Sequence, residues 1–176
     1  MTKKGDAGSL DSTLVQSQGK DLFDRVCDYL TEKEWAYSTH ADHQCLSFWL
    51  RLHDGNVRVV AETVQGDEWS RTLVYCTYPT FVPEPRRAAV AEATTRINYT
   101  TIFGNFEMDL RDGEVRVRTF VESDLFLGED MIDRAFRTAL DLANQYQSPI
   151  LAISYGNASA CDVLEMASNS SGATLQ

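Results

Sequence analysis

The chain has 176 residues, of which 43% are hydrophobic, so its composition predicts a single domain with one ordinary core. Its 16 Lys and Arg residues stand against 26 Asp and Glu residues, a formal net charge of -10. Affinity for polyanions comes from Lys and Arg displacing counterions, so this balance disfavours nucleic acid and anionic membrane surfaces as direct ligands. A small basic patch is compatible with an acidic chain, and DNA binding therefore stays a minor alternative.

The sequence shows neither the targeting signals nor the cysteine pattern of an exported protein. The charged opening Met1–Asp6 lacks the apolar run and cleavage site of a signal peptide. The longest apolar stretch, Ile150–Ile153, is too short to cross a bilayer. The four cysteines are widely spaced without a C-x-x-C pair, which is typical of reduced thiols. We expect a cytoplasmic protein.

The first periodic segment predicts a helix over about residues 18–34, with Ser17 as its cap. Residues 1–17 are polar and are expected to form a disordered tail. The apolar positions of the helix fall on one face: Leu22, Phe23, Val26, Tyr29 and Leu30.

Alternating apolar residues then predict a three-stranded meander. Residues 45–52 alternate, Asp54-Gly55 supplies a turn, and residues 57–61 alternate onward, which indicates a β-hairpin. A third strand is expected over Trp69–Tyr78. Because prolines remove the amide donors of a strand ladder, pairing is expected to end at the next three: Pro79, Pro83 and Pro85.

The second half of the chain repeats this alternation of helix and hairpin. A second helix is expected from Pro83 or Pro85 to Ile97, with Asn98 as its stop. The alternating residues 106–121, with the turn Asp112-Gly113, predict a second hairpin.

A third helix is expected over 129–146 and is closed by Pro149. Residues 150–153 then suit either a buried strand or an extended connection. A last short helix is expected within 157–166, and the end of the chain is expected to be mobile. The domain is thus assigned to residues 18–160, followed by a short helix and flexible tail over 161–176.

The two hairpins align without gaps. Residues 48–59 and 106–117 share Phe, Leu, Asp, Gly, Val, Arg and Val in register. Duplication explains the match, and so does convergence, because turn chemistry and a half-buried face impose much of the pattern. On either explanation the sheet is antiparallel.

Four stretches resemble the YbjN family of bacterial sensory transduction regulators. They are residues 96–109, the turn 112–118, the third helix, and Ser148–Leu151 leading to Tyr155-Gly156. The resemblance implies a secretion-chaperone-like fold with its elements in the order α-β-β-β-α-β-β-α. Such a fold is an α+β domain in which an antiparallel sheet of five or more strands carries helices mainly on one face. The resemblance implies no catalytic residues for this sequence.

Tests for chemistry give little support to catalysis. His40, His43 and Cys45 are weak metal candidates, because a zinc site needs four ligands and no second His or Cys pair follows. No nucleophile elbow and no glycine-rich phosphate loop is present in the sequence. We therefore expect no enzyme activity, no metal and no cofactor.

Candidate partner-binding residues lie on the strands. Trp49 alternates with the core positions, so large aromatics either pack in the core, which we favour, or form an exposed patch. Arg58, Arg116 and Arg118 fall opposite the valines and form either a solvated stripe or an anion site. The other aromatic candidates are Trp69, Tyr75, Tyr78 and Phe81.

These observations predict a binding or regulatory module that takes a protein partner on its second sheet face or edge. The alternative is a small-ligand sensor or enzyme with a pocket near helix 1, where His40 and His43 supply polar groups. Secretion chaperones of similar fold are commonly dimers, which the resemblance implies. The aromatic surplus also favours a homodimer, whereas the net charge of -10 disfavours pairing. We expect a homodimer.

Overall fold

A computed structural model describes residues 21–124 and 127–172. The tail predicted for 1–17 and the last four residues of the C-terminal tail fall outside the described residues. Four α-helices form in the described part of the chain: α1 Leu22–Glu32, α2 Arg87–Thr100, α3 Glu129–Tyr155 and α4 Val163–Gly172. Six strands accompany them: β1 Ser38–His40, β2 Cys45–Arg51, β3 Asn56–Gln65, β4 Ser70–Phe81, β5 Asn105–Met108 and β6 Glu114–Ser123.

The six strands form one antiparallel sheet in the order β1-β2-β3-β4-β6-β5. α1 packs on β3, α3 on β4 and β6, and α2 on β5 and α3. The core lies between this helical layer and the sheet, and every second side chain of a strand points into it. The predicted α+β class with an antiparallel sheet is confirmed, and β1 is a strand beyond the predicted order.

α1 begins later than predicted, because Asp21 rather than Ser17 is its N-cap. The Asp21 carboxylate accepts a hydrogen bond from the Phe23 amide at 3.3 Å, which satisfies one of the free donors of the first turn. Val26 and Leu30 of α1 are completely buried. The predicted amphipathic face thus packs into the core.

Two features of the strands differ from what the sequence predicted. His40 lies in β1 and pairs with Cys45, because the chain after α1 folds back along β2. β4 continues past Pro79 to Phe81, since its pairing with β6 has an irregularity between Thr77 and Phe81 that tolerates a residue without an amide donor.

α3 is 27 residues long and does not end at Pro149. The prediction of a strand or extended connection over 150–153 was therefore wrong. Ile150 and Ile153 are buried, and their packing favours a continued helix over the hydrogen bond that Pro149 removes. The Arg86 guanidinium donates to the carbonyls of Ile153 and Ala158 at 2.7 and 3.0 Å, and so binds the end of the helix.

The end of the chain is also more helical than predicted. α4 extends to Gly172, whereas the sequence indicated a helix ending near residue 166. Val163 and Ala167 are buried against α3 and α2, so tertiary contacts hold this weakly amphipathic segment in a helix.

The two hairpins have the same register and different turns. Phe48 pairs with Val59 as Phe106 pairs with Val117. Gly113 has a φ of 89°, and a Cβ there would lie 2.3 Å from the Val82 carbonyl oxygen. Only glycine fits this position, because the turn of the second hairpin packs directly on the end of β4.

Candidate partner-binding face

The side of the sheet opposite the helices has no helix packed on it in the described part of the chain, and we call it the open face. Strand pairing places its residues in rows across the sheet. One row contains Trp49, Arg58, Thr77, Arg116 and Glu107. The next contains Ser47, Val60, Tyr75, Arg118 and Asn105, and a third contains Cys45, Glu62, Leu73 and Phe120.

Large aromatic side chains are exposed on the open face and at its ends. Trp49 is 61% exposed, Phe120 60% and Phe81 55%. Trp69, just before β4, is 38% exposed, and Tyr75 is half-buried in the middle of the face. Exposed aromatics of this size, separated by arginines, are typical of surfaces that bind protein partners.

The aromatic candidates divide between the two sides of the sheet. Tyr78 belongs to the core, where its hydroxyl donates to the Ala143 carbonyl at 2.8 Å, so it is not a partner-binding residue. Burial was the favoured expectation for the whole set, and it was wrong for Trp49 and Phe81. The reason is that the helical layer covers one side of the sheet only.

The arginine stripe is largely paired within the face. Arg116 and Arg118 each bind Glu107, at 2.8 and 2.9 Å, and the Arg116 guanidinium lies 4.6 Å from the centre of the Tyr75 ring. Arg58 is exposed and has no ion pair to a described residue. The predicted anion site is thus reduced to Arg58, whose neighbour across the strands is Trp49.

The open face is nearly neutral although the chain is strongly acidic. Burial first, and then the nearby Glu62, raises the pKa of the Tyr75 phenol, which keeps that ring uncharged. The arginines on this side are Arg51, Arg58, Arg71, Arg116 and Arg118, and the glutamates are Glu62, Glu107, Glu114 and Glu122. The excess of acid therefore lies elsewhere on the molecule, and like-charge repulsion does not prevent contact with a partner here.

The metal candidates do not come together as a site. His40 and His43 are both exposed, and His40 Nε2 lies 3.5 Å from the Ser47 hydroxyl. In residues 21–124 and 127–172 there is no group of three or more His, Cys, Asp or Glu side chains arranged to hold a metal ion.

Two clefts lie at the opposite edge of the sheet from His40. A polar cleft of about 610 Å³ at the tip of the second hairpin is lined by Glu107, Asp109, Arg111 and Arg116, among others. A more apolar groove of about 410 Å³ lies between the loop before β5, the end of β6 and the first half of α3. The alternative of a ligand pocket near helix 1 gains no support from either.

Sequence analysis missed three groups that matter for this surface. Phe120 alternates with Thr119 and Val121, so the same period of two that selected Arg116 and Arg118 could have found it. The exposed Ile102 and Phe103 lie in a loop, which has no period to detect. The Arg87 guanidinium binds four backbone carbonyls, of which Val82 is near in sequence and Leu110, Arg111 and Asp112 are more than twenty residues away.

None of the helices in the described part of the chain has the length and apolarity to span a membrane.

Comparison with known proteins identifies relatives of this fold. Residues 22–152 match the YbjN family model, described as "Putative bacterial sensory transduction regulator". The crystal structure of YbjN from E. coli, called "a putative transcription regulator", superimposes with a TM-score of 0.50 at 13% sequence identity. The superposition covers 72% of this chain and 94% of that one, and at this identity it shows the fold alone. No curated protein matches the sequence.

Proposed function

We propose that this chain, which belongs to the YbjN family, is a non-enzymatic regulatory protein of the cytoplasm that binds a protein partner through its open face. The family description supports the regulatory role. The observation that carries the binding site is the set of exposed aromatics on a nearly neutral side of an acidic molecule. Trp49 beside Arg58, which has no ion pair to a described residue, is the proposed anchor, since Trp and Arg are the side chains most often found at the energetic centre of interfaces.

Two of the four thiols are unsuited to nucleophilic catalysis. Burial raises the pKa of the Cys76 thiol to about 12 and also raises the pKa of Cys27, whereas a nucleophilic cysteine needs a lowered pKa. Neither thiol would be a thiolate at neutral pH, and both pack as small apolar groups.

The partner test is capture from native cytosol on the immobilised full-length chain, compared between variants. Trp49→Ala and Arg58→Glu are expected to lose any partner that the wild type retains, because both remove open-face contacts. The matched control is Tyr99→Ala, which removes an aromatic that is 93% exposed on α2. A partner retained equally by all variants would contradict the open face as the binding site.

The catalytic alternative has its own test. A thermal-shift screen with metabolites is expected to show no saturable stabilisation of the chain. Saturable stabilisation by a small molecule, together with its turnover, would refute the non-enzymatic proposal.

A further inference from the structure

The outer edge of β6 is only partly paired. β6 pairs with β4 along its length, up to the contact of Ser70 with Ser123. On its other side, β5 pairs with residues 115–118 only, and the last pair is Asn105 with Arg118. The segment from Thr119 to Ser123 is therefore a free strand edge within the described part of the chain.

The direction of the backbone groups follows from their partners. The Glu114 carbonyl accepts a hydrogen bond from the Asp109 amide on the β5 side, and the Gly113 carbonyl accepts one from Val82 on the β4 side. Because these directions alternate along a strand, the amide and carbonyl of Phe120 and Glu122 point outward, to the free edge. Neither residue has a backbone hydrogen bond on that side to a described residue.

An apolar groove adjoins this free edge. Its walls include Ile102 and Phe103 of the loop before β5, Phe120 and Val121 of β6, and Ala135 of α3. Ile102 is 86% exposed and Phe103 69%. The groove is thus positioned for side chains of a strand added along β6.

The edge of the neighbouring strand β5 is protected by a side chain. The Asn98 side chain accepts a hydrogen bond from the Phe106 amide at 2.7 Å and donates one to the Phe106 carbonyl at 3.0 Å. This α2 residue takes the place of a further strand beside β5. No described side chain does the same for Phe120 or Glu122, and unprotected strand edges are the usual sites of β-addition.

We propose that the edge Phe120–Glu122 binds an extended segment of a partner polypeptide as an added strand. The occupant has apolar side chains at alternate positions for the groove and a carboxylate for Arg134, which is exposed on the groove's rim without an ion pair to a described residue. This inference rests on the proposed function and places part of the partner at a second site, beyond the open face. Backbone pairing supplies the attraction, and the groove selects the sequence.

The test selects a library of random linear twelve-residue peptides displayed on phage against the full-length chain. Selected peptides are expected to alternate apolar residues and to lose at least tenfold in affinity on Glu122→Pro, which removes an outward amide donor. Glu122→Ala is the matched control, because it removes the same side chain and keeps the amide. Ile102→Asp should also lose at least tenfold, whereas Leu110→Asp, an exposed apolar site outside the groove, should change affinity by less than twofold.

Each other result overturns the inference. Failure to select any peptide, or equal affinity for Glu122→Pro and Glu122→Ala, would show that the edge is not a binding site. Peptides lost only in Trp49→Ala would refute edge binding and leave the proposed open-face function standing. If the chain forms a dimer that dissociates in Glu122→Pro, the occupant of the edge is a second copy of the chain. If hydrogen exchange finds the Phe120 and Glu122 amides protected in the dilute chain alone, the occupant is another part of the same chain.

Discussion

Asn98 has a structural role that the sequence did not predict. It was expected to end the second helix, yet α2 continues to Thr100 and the side chain binds both backbone groups of Phe106. Phe106 is 3% exposed, so these groups have no access to bulk water. Asn98 therefore connects α2 to β5 and defines where the sheet ends.

Asn98→Ala is expected to lower the free energy of unfolding by about 2 kcal/mol, because it leaves a buried donor and acceptor unpaired. Urea denaturation checks this against Tyr99→Ala, the exposed neighbour on the same helix, which should cost less than about 0.5 kcal/mol. Asn98→Asp should also lower the stability, since it keeps the acceptor for the Phe106 amide but places a carboxylate oxygen against the Phe106 carbonyl. Equal stabilities of the two alanine variants would contradict the assigned role.

Asp109 provides a pH-dependent prediction at the same scale. Hydrogen bonds from the Arg111 side chain, at 3.1 and 2.6 Å, and from its backbone amide lower the pKa of Asp109 to about 2. A lowered pKa in the folded state stabilises the fold above the ordinary value of 3.8, and this contribution is lost as the pH falls from 3.8 through about 2. The carboxylate is exposed, so the effect on stability is small.

Titration of Asp109 by NMR should therefore give a midpoint near 2 in the wild type. Arg111→Ala should raise the midpoint toward 3.8 without reaching it, because the backbone amide still donates. Arg137→Ala, which removes the ion pair to Asp133 on α3, should leave Asp109 unchanged. A wild-type midpoint near 3.8 would show that the Arg111 contact does not persist in solution.

At the scale of elements, two hairpins of similar sequence use their Asp-Gly turns differently. Gly113 needs a positive φ and meets the Val82 backbone, whereas Gly55 meets only the amide of the Gln147 side chain, 2.7 Å from a built Cβ. Side-chain ends can move and backbone cannot. The same substitution should therefore have unequal effects at two positions that align in the sequence.

Gly113→Ala is expected to destabilise the fold by about 3 kcal/mol, from the combined backbone strain and steric conflict. Gly55→Ala should cost about 1 kcal/mol, as the Gln147 amide shifts away. Thermal or urea unfolding of the two variants measures the difference. Similar losses in both would mean that the two turns are equivalent in solution.

At the scale of the whole molecule, the open face allows self-association as well as partner binding. It is nearly neutral and carries exposed aromatics, so two copies can meet there without the repulsion that a net charge of -10 would otherwise cause. We propose a homodimer through this face.

Light scattering at moderate salt should give a mass near twice the single-chain 19.8 kDa. Trp49→Ala should raise the dissociation constant about 30-fold, the equivalent of about 2 kcal/mol for a central aromatic, without lowering the melting temperature. Trp69→Ala, at the end of the face, should have a smaller effect. A mass of one chain across micromolar concentrations would refute the dimer.

The sequence by itself determined the parts of this fold that depend on local patterns. Alternation placed β2 to β6 and their faces, helical spacing placed the buried side of α1 and most of α3, and four sequence stretches carried the family resemblance. Such patterns hold because each residue's direction is fixed by its neighbours in the chain. The same rule assigned Arg58, Arg116 and Arg118 to the open face.

Only the tertiary structure decided what depends on residues distant in the chain. Packing of Ile150 and Ile153 continues α3 through Pro149, and Arg86 binds the end of that helix from before α2. The exposure of Trp49 and the burial of Tyr78 follow from which side of the sheet the helices cover, and no local pattern encodes that choice. The free edge of β6 likewise exists because β5 is short and pairs only with residues 115–118.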